Sequence, residues 1–371
     1  MIPLLVDLET EWRGGQNQMW LTLKGLHPRG HAAELVAAEG SILGERAEAI
    51  GVTVHKVSRG WLRIPAALRI FDLTKTGRFD LVHVNEAHAL TAAWLARAHR
   101  RAPLIVSRRV GYPIGKSRIA QARYKAAARI IAISHWVARQ VADVGVPRDK
   151  MAVVYEGVEI PPLPTAETRA QARARWSISP DTLLLGNVGV LLPDKGQEWL
   201  IRALATIRKE IRNCRLLLAG DGPCRPRLEK LTRQLGLGDA VIFAGFVKDI
   251  EPVYSALDVF LFPAQFEGLG TSLLAAMSYG IPSIAFNACA FGEIIEDGKT
   301  GVLVENQSLP GIERAITRLL RDRQFARRMG EAGRQRIENV FSADRMVEQT
   351  IKTYMEVCAE PQKKKAPTTP T

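Results

Sequence analysis

Cysteine and long apolar runs are both scarce in this sequence, and their absence excludes several classes of protein. Its four cysteines have none of the paired spacings of a zinc site or a small disulfide-bonded domain, so we predict free thiols and no metal. No run approaches the roughly 18 consecutive apolar residues of a transmembrane helix. Residues 1–7 reach an acidic residue without a basic start, which argues against a signal peptide and predicts a cytoplasmic protein.

Negative charge is also in deficit. The chain has 51 Lys and Arg residues against 38 Asp and Glu, a formal net charge of +13 at pH 7. Residues 61–130 alone carry fourteen basic and only three acidic side chains. This imbalance predicts a phosphorylated acceptor or a peripheral position at the anionic inner face of a membrane, with a solvated basic surface as the alternative. We predict no nucleic-acid partner, because neither a nucleic-acid motif nor interleaved aromatic residues accompany the charge.

Short apolar runs alternate with amphipathic segments, a pattern typical of parallel sheets covered by helices on both faces. With 371 residues, 47% of them hydrophobic, the chain can form two α/β domains, each with its own core. We predict strands in two series, at 2–8, 34–37, 52–57, 81–85, 104–107, 130–134 and 152–155, and then at 183–188, 215–219, 241–243, 259–262, 281–286 and 302–304.

The two series of strands define the predicted domains. Prolines at 160–164 favour an extended hinge between them. A ligand is expected in a cleft between the domains. The predicted boundaries are a first, acceptor-side domain at 1–162, a linker at 163–180, a second, donor-binding domain at 181–341, a last helix at 342–360 and a disordered tail at 361–371.

The stretch 258–286 predicts a strand, a loop, a helix and a second strand. Glu267 lies in the glycine-bearing loop after the first strand. We predict that Thr271 or Ser272 caps the helix and that Gly280 ends it in the left-handed conformation. In open parallel sheets ligands bind at this end of the strands, and the N–H groups of a helix N-terminus attract phosphate.

The loop Glu267-Gly268-Leu269-Gly270 resembles the signature of the retaining glycosyltransferases of family 4, which have the GT-B fold. The resemblance implies two Rossmann-like parallel-sheet domains that face each other across a cleft, with a C-terminal helix that crosses back to the first domain. It also implies that Glu267 contacts the donor sugar. The family's second glutamate, which usually holds the nucleotide ribose, is replaced by Ala275, so that role is not carried over.

Further loops of the second domain resemble donor-binding segments of the same family. Lys195 matches the lysine that neutralises the leaving diphosphate, whereas Val190 stands where the family has an arginine. Cys289 and Ala290 replace two glycines that allow the backbone to approach the donor closely. The donor-binding residues that the resemblance implies are Gly15, Gly189, Lys195, Gly220, Phe246, Val247, Glu267, Gly268, Leu269, Gly270, Thr271 and Ser272.

Two segments of the first domain follow predicted strands and carry glycine or arginine. Paired glycines at Gly14-Gly15 let backbone N–H groups approach an anion closely, although a plain strand-to-helix turn has the same sequence. The segment that starts at Arg108-Arg109 resembles the Arg-Arg-Val-x-(aromatic)-Pro loop of one branch of the family, and such arginines suit phosphate; a surface pair is the alternative. Acceptor-side candidates are Arg13, Gly14, His88 and Arg108. Catalytic candidates are Glu267, Lys195 and Arg109.

Together these features predict a retaining glycosyltransferase. It would move a sugar from a nucleotide-sugar donor to a glycan or lipid-linked acceptor in cell-envelope polysaccharide or lipopolysaccharide synthesis. The nucleotide-sugar is a substrate, and no cofactor or metal is expected, since no Asp-x-Asp motif lies in the loops. The alternative is a catalytically silent GT-B module that binds a glycan or protein partner, which the departures at Val190, Ala275 and Cys289 would favour.

Overall fold

The structure, a computed structural model, describes residues 1–58, 63–115 and 117–360. It divides into two compact units. The first comprises Met1–Ile133, Val137–Val154 and the described chain from Met346 onward. The second comprises Ser134–Trp136 and Tyr155–Arg345. The tail predicted at 361–371 lies outside the described residues.

A parallel sheet forms the centre of the first unit. In its described part the strands are β1 (Pro3–Asp7), β2 (Glu34–Ala38), β3 (Thr53–Val57), β4 (Leu81–Val84), β5 (Leu104–Arg108), β6 (Arg129–Ala132) and β7 (Met151–Val153). They lie in the order β3-β2-β1-β4-β5-β6-β7. The helices between them are α1 (Gly14–Leu26), α2 (Ile42–Ala49), α3 (Arg63–Lys75), α4 (Ala87–Leu95), α5 (Arg118–Lys125) and α6 (His135–Ala142). Because the order reverses between β1 and β4, the loops after these strands form a switch point, where such sheets bind ligands.

The second unit repeats this plan. Its strands are β8 (Leu183–Val188), β9 (Cys214–Ala219), β10 (Val241–Gly245), β11 (Val259–Phe262), β12 (Ser283–Phe286) and β13 (Val302–Val304). They form a parallel sheet in the order β10-β9-β8-β11-β12-β13, which reverses between β8 and β11. Its helices are α7 (Ala166–Ala174), α8 (Gln197–Glu210), α9 (Arg225–Gln234), α10 (Glu251–Ala256), α11 (Thr271–Ser278), α12 (Phe291–Ile294), α13 (Leu309–Arg321) and α14 (Arg323–Val340).

The central strands of both sheets are buried on two faces, which is why they are nearly continuous apolar runs. Leu4 and Leu5 of β1 are fully buried, as are Leu216 and Leu217 of β9. Every predicted strand forms, with ends displaced by at most two residues. The prediction of two Rossmann-like α/β domains is therefore confirmed. Across the described ranges, no helix is both long and apolar enough to cross a membrane.

The segment 163–180, predicted as a linker, contains helix α7 and packs into the second unit. Thr165 begins the helix, because its side chain accepts a hydrogen bond from the Thr168 N–H. Arg173 is 4% exposed and donates to the carbonyl groups of Ala256 and Ser179. The charged composition favoured a solvent-exposed linker over a packed helix. An arginine can nevertheless be buried when carbonyl oxygens accept hydrogen bonds from its guanidinium.

The last helix, α15 (Ala343–Ala359), is part of the first unit from Met346 onward, as the family resemblance implied. Tyr354 is buried, and its hydroxyl lies 2.5 Å from His83 Nδ1. Val347 packs so closely on α1 that a Cβ at Gly25 would lie 2.6 Å from it. His83 is thus a core histidine, and burial lowers its pKa to about 3, with the charge of Arg109 contributing.

Candidate active site

Lys195 and Glu267 form an ion pair in the second unit. Lys195 ends a one-turn 3-10 helix after β8, and Glu267 lies in the loop after β11. The Lys195 Nζ is 2.6 Å from Glu267 Oε2 and 3.5 Å from the carbonyl oxygen of Phe266. The two residues are 72 positions apart and meet because β8 and β11 are neighbours in the sheet. Two of the three predicted catalytic residues are therefore in direct contact.

Gly196 determines where Lys195 lies. It has a φ of +70°, and a Cβ built on it would lie 2.3 Å from the carbonyl oxygen of Pro263. Any other residue would combine backbone strain with a clash. The loop after β8 consequently packs backbone to backbone on the loop after β11, which holds the ammonium next to the carboxylate.

Helix α11 follows the Glu267 loop directly. Its N-cap is Gly270, with a φ of +113°, and no side chain caps the helix. The prediction that Thr271 or Ser272 is the cap was wrong, because the helix begins at Thr271 itself. Gly280 ends the helix in the left-handed conformation, as predicted. An N-terminus without a side-chain cap offers backbone N–H groups to an anion.

Three glycines lie where the loops after β8 and β9 pack against each other. A Cβ on Gly220 would lie 2.0 Å from the carbonyl oxygen of Gly189, and a Cβ on Gly222 would lie 2.6 Å from that of Leu191. Gly189 itself has nothing within 4 Å of its own Cβ position. Gly220 therefore has a packing role, whereas Gly189 presents an open backbone surface of the kind that a ligand can approach.

Phe246 and Val247, predicted near the nucleobase, lie after β10 on an open cavity. Phe246 is 83% exposed. The cavity has a volume of about 380 Å³ and is also lined by Arg175 and Trp176. Sequence analysis missed these two residues because they lie in the segment assigned to the linker. Their proximity to Phe246 is set by the tertiary structure, and no local sequence signal marks it.

Cys289 has a left-handed backbone conformation, the region that favours glycine. Its φ is +51°, and its Sγ donates to the carbonyl oxygen of Gln265 at 3.4 Å. Burial raises the pKa of the thiol, and the charges of Glu267 and Lys195 also act on it. Ala290 is fully buried. A side chain therefore stands near the ion pair where the family has open backbone.

The first unit contains a polar network at its switch point. Asn85 follows β4 and donates through Nδ2 to Asp7 Oδ2 at 2.6 Å and to the Gly15 carbonyl oxygen at 3.0 Å. Its Oδ1 accepts from Arg109 Nε at 2.6 Å. Gln16 also donates to Asp7 Oδ2, at 2.9 Å. Burial raises the pKa of Asp7, against the lowering effect of these hydrogen bonds.

This network brings together two of the predicted residues, Gly15 and Arg109. Asp7, Gln16 and Asn85 were missed by sequence analysis. Asp7 and Asn85 are polar residues at the ends of apolar strands, and that position was the signal that could have identified them. Since β1, β4 and β5 are adjacent, their polar ends meet at one edge of the sheet.

The other two arginines have different surroundings. Arg108 donates to the Tyr124 hydroxyl at 3.2 Å and to the Tyr112 carbonyl oxygen. These bonds connect the Arg108 guanidinium to its own loop and to α5. Arg13 is exposed and pairs with Glu11 at 2.5 Å. The predicted acceptor-side roles of Arg108 and Arg13 remain predictions.

His88 lies next to two carboxylates. His88, Glu9 and Glu86 each place one potential ligand atom within 4.8 Å of the others, a grouping that could hold a metal ion. Glu86, however, caps α4 by accepting the N–H groups of His88 and Ala89. Arg63 Nε donates to His88 Nδ1 at 3.2 Å. Burial, followed by the charge of Asp7, raises the pKa of Glu86 to about 7.

Two family models match this sequence. The one described as "Glycosyl transferases group 1" matches residues 168–336, and the one described as "Glycosyltransferase Family 4" matches residues 12–160. The first match lies in the second unit, and the other covers most of the first. Neither match alone covers half of the chain, and the two lie one after the other along it.

Individual glycosyltransferases are also similar to this chain in sequence or in fold. The chain is 36% identical over 183 residues to the GDP-mannose-dependent alpha-(1-6)-phosphatidylinositol monomannoside mannosyltransferase of Mycobacterium tuberculosis, a match that covers 47% of each chain. The chain spans about half the length of these curated relatives. A glycosyltransferase structure from Rickettsia africae aligns with a TM-score of 0.86 at 19% identity, covering 97% of this chain and 99% of that one. Anabaena HepE in complex with UDP-glucose aligns at 0.81 and 21%, covering 96% and 100%. These structural similarities show the GT-B fold.

Proposed function

We propose that this glycosyltransferase of family 4 type transfers a sugar, with retention of configuration, from a nucleotide-sugar donor to a hydroxyl of a glycan or lipid-linked acceptor in cell-envelope polysaccharide or lipopolysaccharide synthesis. The observation that carries the proposal is the contact of Lys195 with Glu267 at 2.6 Å, directly before the N-terminus of α11. The loops after β8 and β11 thereby combine a cation, helix N–H groups and a carboxylate. The cation and the helix N–H groups suit a diphosphate, and the carboxylate suits a sugar hydroxyl.

In the proposed reaction the bond between the anomeric carbon and the diphosphate oxygen breaks. The acceptor oxygen bonds to that carbon on the same face, and its proton passes to the departing phosphate oxygen. Lys195 and the N-terminus of α11 stabilise the negative charge that grows on the diphosphate. Glu267 orients the donor sugar, which contributes to catalysis by positioning.

Arg109 is proposed as an anion-binding residue of the first unit. Arg109 has a fixed orientation because Asn85 accepts from its Nε. A guanidinium held in this way can bind an anion with little loss of side-chain entropy.

Two observations bear on the choice of substrates. The M. tuberculosis relative is named as GDP-mannose-dependent, and HepE was solved with UDP-glucose, so both GDP and UDP are candidate donor nucleotides. The acceptor in the relative's name is a phosphatidylinositol monomannoside. Together with the basic residues at 61–130, this name supports a lipid-linked acceptor.

A thermal-shift screen with UDP, GDP, ADP, CMP and dTDP tests the proposal. A ligand that binds only the folded protein stabilises it by about 2.7 kcal/mol at 100 times its Kd. We expect one nucleotide to raise the Tm of the wild type and of Lys209→Ala, an exposed control lysine on α8, but not that of Lys195→Ala. We also expect Lys195→Ala to lower kcat by roughly 100- to 1,000-fold.

The opposite results would favour the silent module. Absence of any nucleotide-induced shift, together with no hydrolysis of nucleotide-sugars, would contradict the proposed transfer. The anomeric proton coupling of the product, measured by NMR, checks retention: an inverted product would overturn that part of the mechanism while leaving the glycosyl transfer in place.

A further inference from the structure

Helix α3 exposes an apolar stripe on the surface of the first unit. Ile64, Leu68 and Phe71 follow the i, i+4, i+7 spacing that places side chains on one face of a helix. They are 51%, 63% and 39% exposed. The core is contacted by other residues of the helix, among them Ala66 and Ile70, which are fully buried. The stripe is therefore not needed to close the core of the unit.

Positive charge accompanies this stripe. Lys75, in the last turn of α3, shares its face by the same spacing. The guanidinium of Arg101 lies over the ring of Phe71, 4.2 Å from its centroid, and donates to the Ala96 carbonyl oxygen at the end of α4. Residues 63–101 contain seven basic side chains and three acidic ones. The exposed apolar side chains, Lys75 and Arg101 thus lie on the same side of the unit.

We infer that this surface, formed by Ile64, Leu68, Phe71, Lys75 and Arg101, docks on a bilayer that contains anionic lipid. An interfacial helix buries its apolar side chains at the boundary of the acyl chains while its cations contact the phosphate groups. The inference rests on the proposed function, because a lipid-linked acceptor would be presented at such a surface.

Other partners match this surface less well. A symmetric dimer through the same face would bring its cations against their own copies, and like charges that face each other are costly. A nucleic acid would satisfy the cations but would leave the aliphatic Ile64 and Leu68 without an apolar partner. Only an anionic bilayer provides both phosphate and hydrocarbon.

Cosedimentation of the full chain with lipid vesicles tests the inference. We expect binding to vesicles of phosphatidylcholine mixed with phosphatidylglycerol, weaker binding at high salt, and little binding to phosphatidylcholine alone. Leu68→Ser should lower the partition coefficient about tenfold, from the lost burial of a leucine side chain. Lys75→Gln should lower it about fivefold. Ile50→Ser, an exposed apolar residue at the end of α2, is the matched control and should bind like the wild type.

Three results would overturn the assignment. The first two are equal binding to neutral and anionic vesicles, and unchanged vesicle binding of both α3 variants. The third is a dimer of the free protein that Leu68→Ser dissociates, because this would assign the face to a second copy of the chain. The nucleotide-induced thermal shift of the same variants separates this inference from the proposed function. If that shift persists while vesicle binding is absent from every sample, only the membrane inference fails. If vesicle binding persists without any nucleotide shift, only the proposed function fails.

Discussion

Replacement of Asn85 by alanine would test the polar network of the first unit. Asn85 is buried, and its side chain makes three hydrogen bonds, to Asp7 and the Gly15 carbonyl oxygen as donor and to Arg109 as acceptor. Asp7 would keep the bonds from Gln16 Nε2 and from the backbone N–H of residue 9. The variant therefore removes one of the three hydrogen-bond donors to the buried Asp7 carboxylate. It also removes the oxygen that accepts the hydrogen bond from Arg109 Nε.

The expected cost follows from these bonds. Leaving a buried polar group without its partner costs about 1–3 kcal/mol. Because the Asn85→Ala variant affects a charged acceptor, we expect the free energy of unfolding of the first unit to fall by about 2–3 kcal/mol at pH 8. We also expect kcat/KM to fall by about tenfold or more, since Arg109 loses the partner that fixes its orientation.

The size of the loss depends on pH. Burial already raises the pKa of Asp7, and the hydrogen bond from Asn85 opposes that rise. The variant should therefore raise this pKa further. A carboxyl group with a raised pKa holds its proton in the folded protein after the unfolded chain has released it, so stability falls as pH rises between the two pKa values. The deficit of the variant should accordingly be larger at pH 8 than at pH 5.

Hydrogen exchange of the β1 and β4 amides at the two pH values, corrected for intrinsic exchange rates, measures the stability of this unit. Asn339→Ala, at an exposed position of α14, is the control and should change nothing in these strands. A deficit below about 0.5 kcal/mol, or one that is the same at both pH values, would refute the reasoning.

Two further predictions concern the second unit. Cys289→Gly should raise the free energy of unfolding by about 1 kcal/mol, since glycine adopts the left-handed conformation without strain. Cys289→Ala is the control, because alanine keeps the backbone strain. Equal urea midpoints for the two variants would contradict the prediction. Arg173→Ala should lower the free energy of unfolding by about 3 kcal/mol, because it leaves Asp258 and buried carbonyl groups with fewer partners. The exposed Arg175→Ala should cost less than about 0.5 kcal/mol, and similar urea midpoints for the two arginine variants would argue against a buried role.

Local sequence was sufficient to predict the strands and their class. Parallel strands buried on both faces require continuous apolar runs, and the central strands of both sheets carry such runs, whereas the edge strand β3 contains the exposed Thr53 and Lys56. The Glu267 loop and the Gly280 helix end were predicted for the same reason, because each depends on residues that are adjacent in the chain. The family resemblance added the fold, which the structural comparisons confirm.

Local sequence was insufficient where the tertiary structure placed a residue in an environment that is unusual for its type. The composition of 163–180 is charged and was assigned to a linker, yet Arg173 is buried, and carbonyl groups from two other segments accept hydrogen bonds from its Nη1 and Nη2. Likewise the helix α11 begins at Thr271 without a hydroxyl cap, since the left-handed backbone of Gly270 sets its start.

The sequence by itself determined which segments are strands and which loops carry glycine, lysine or glutamate. Only the tertiary structure decided that Asp7, Asn85 and Arg109 form one network, that Lys195 contacts Glu267, and that Tyr354 contacts His83 across 271 positions of the chain. Periodicity acts over a few neighbouring residues, whereas the strand order that brings these distant side chains together is set by the packing of each unit as a whole.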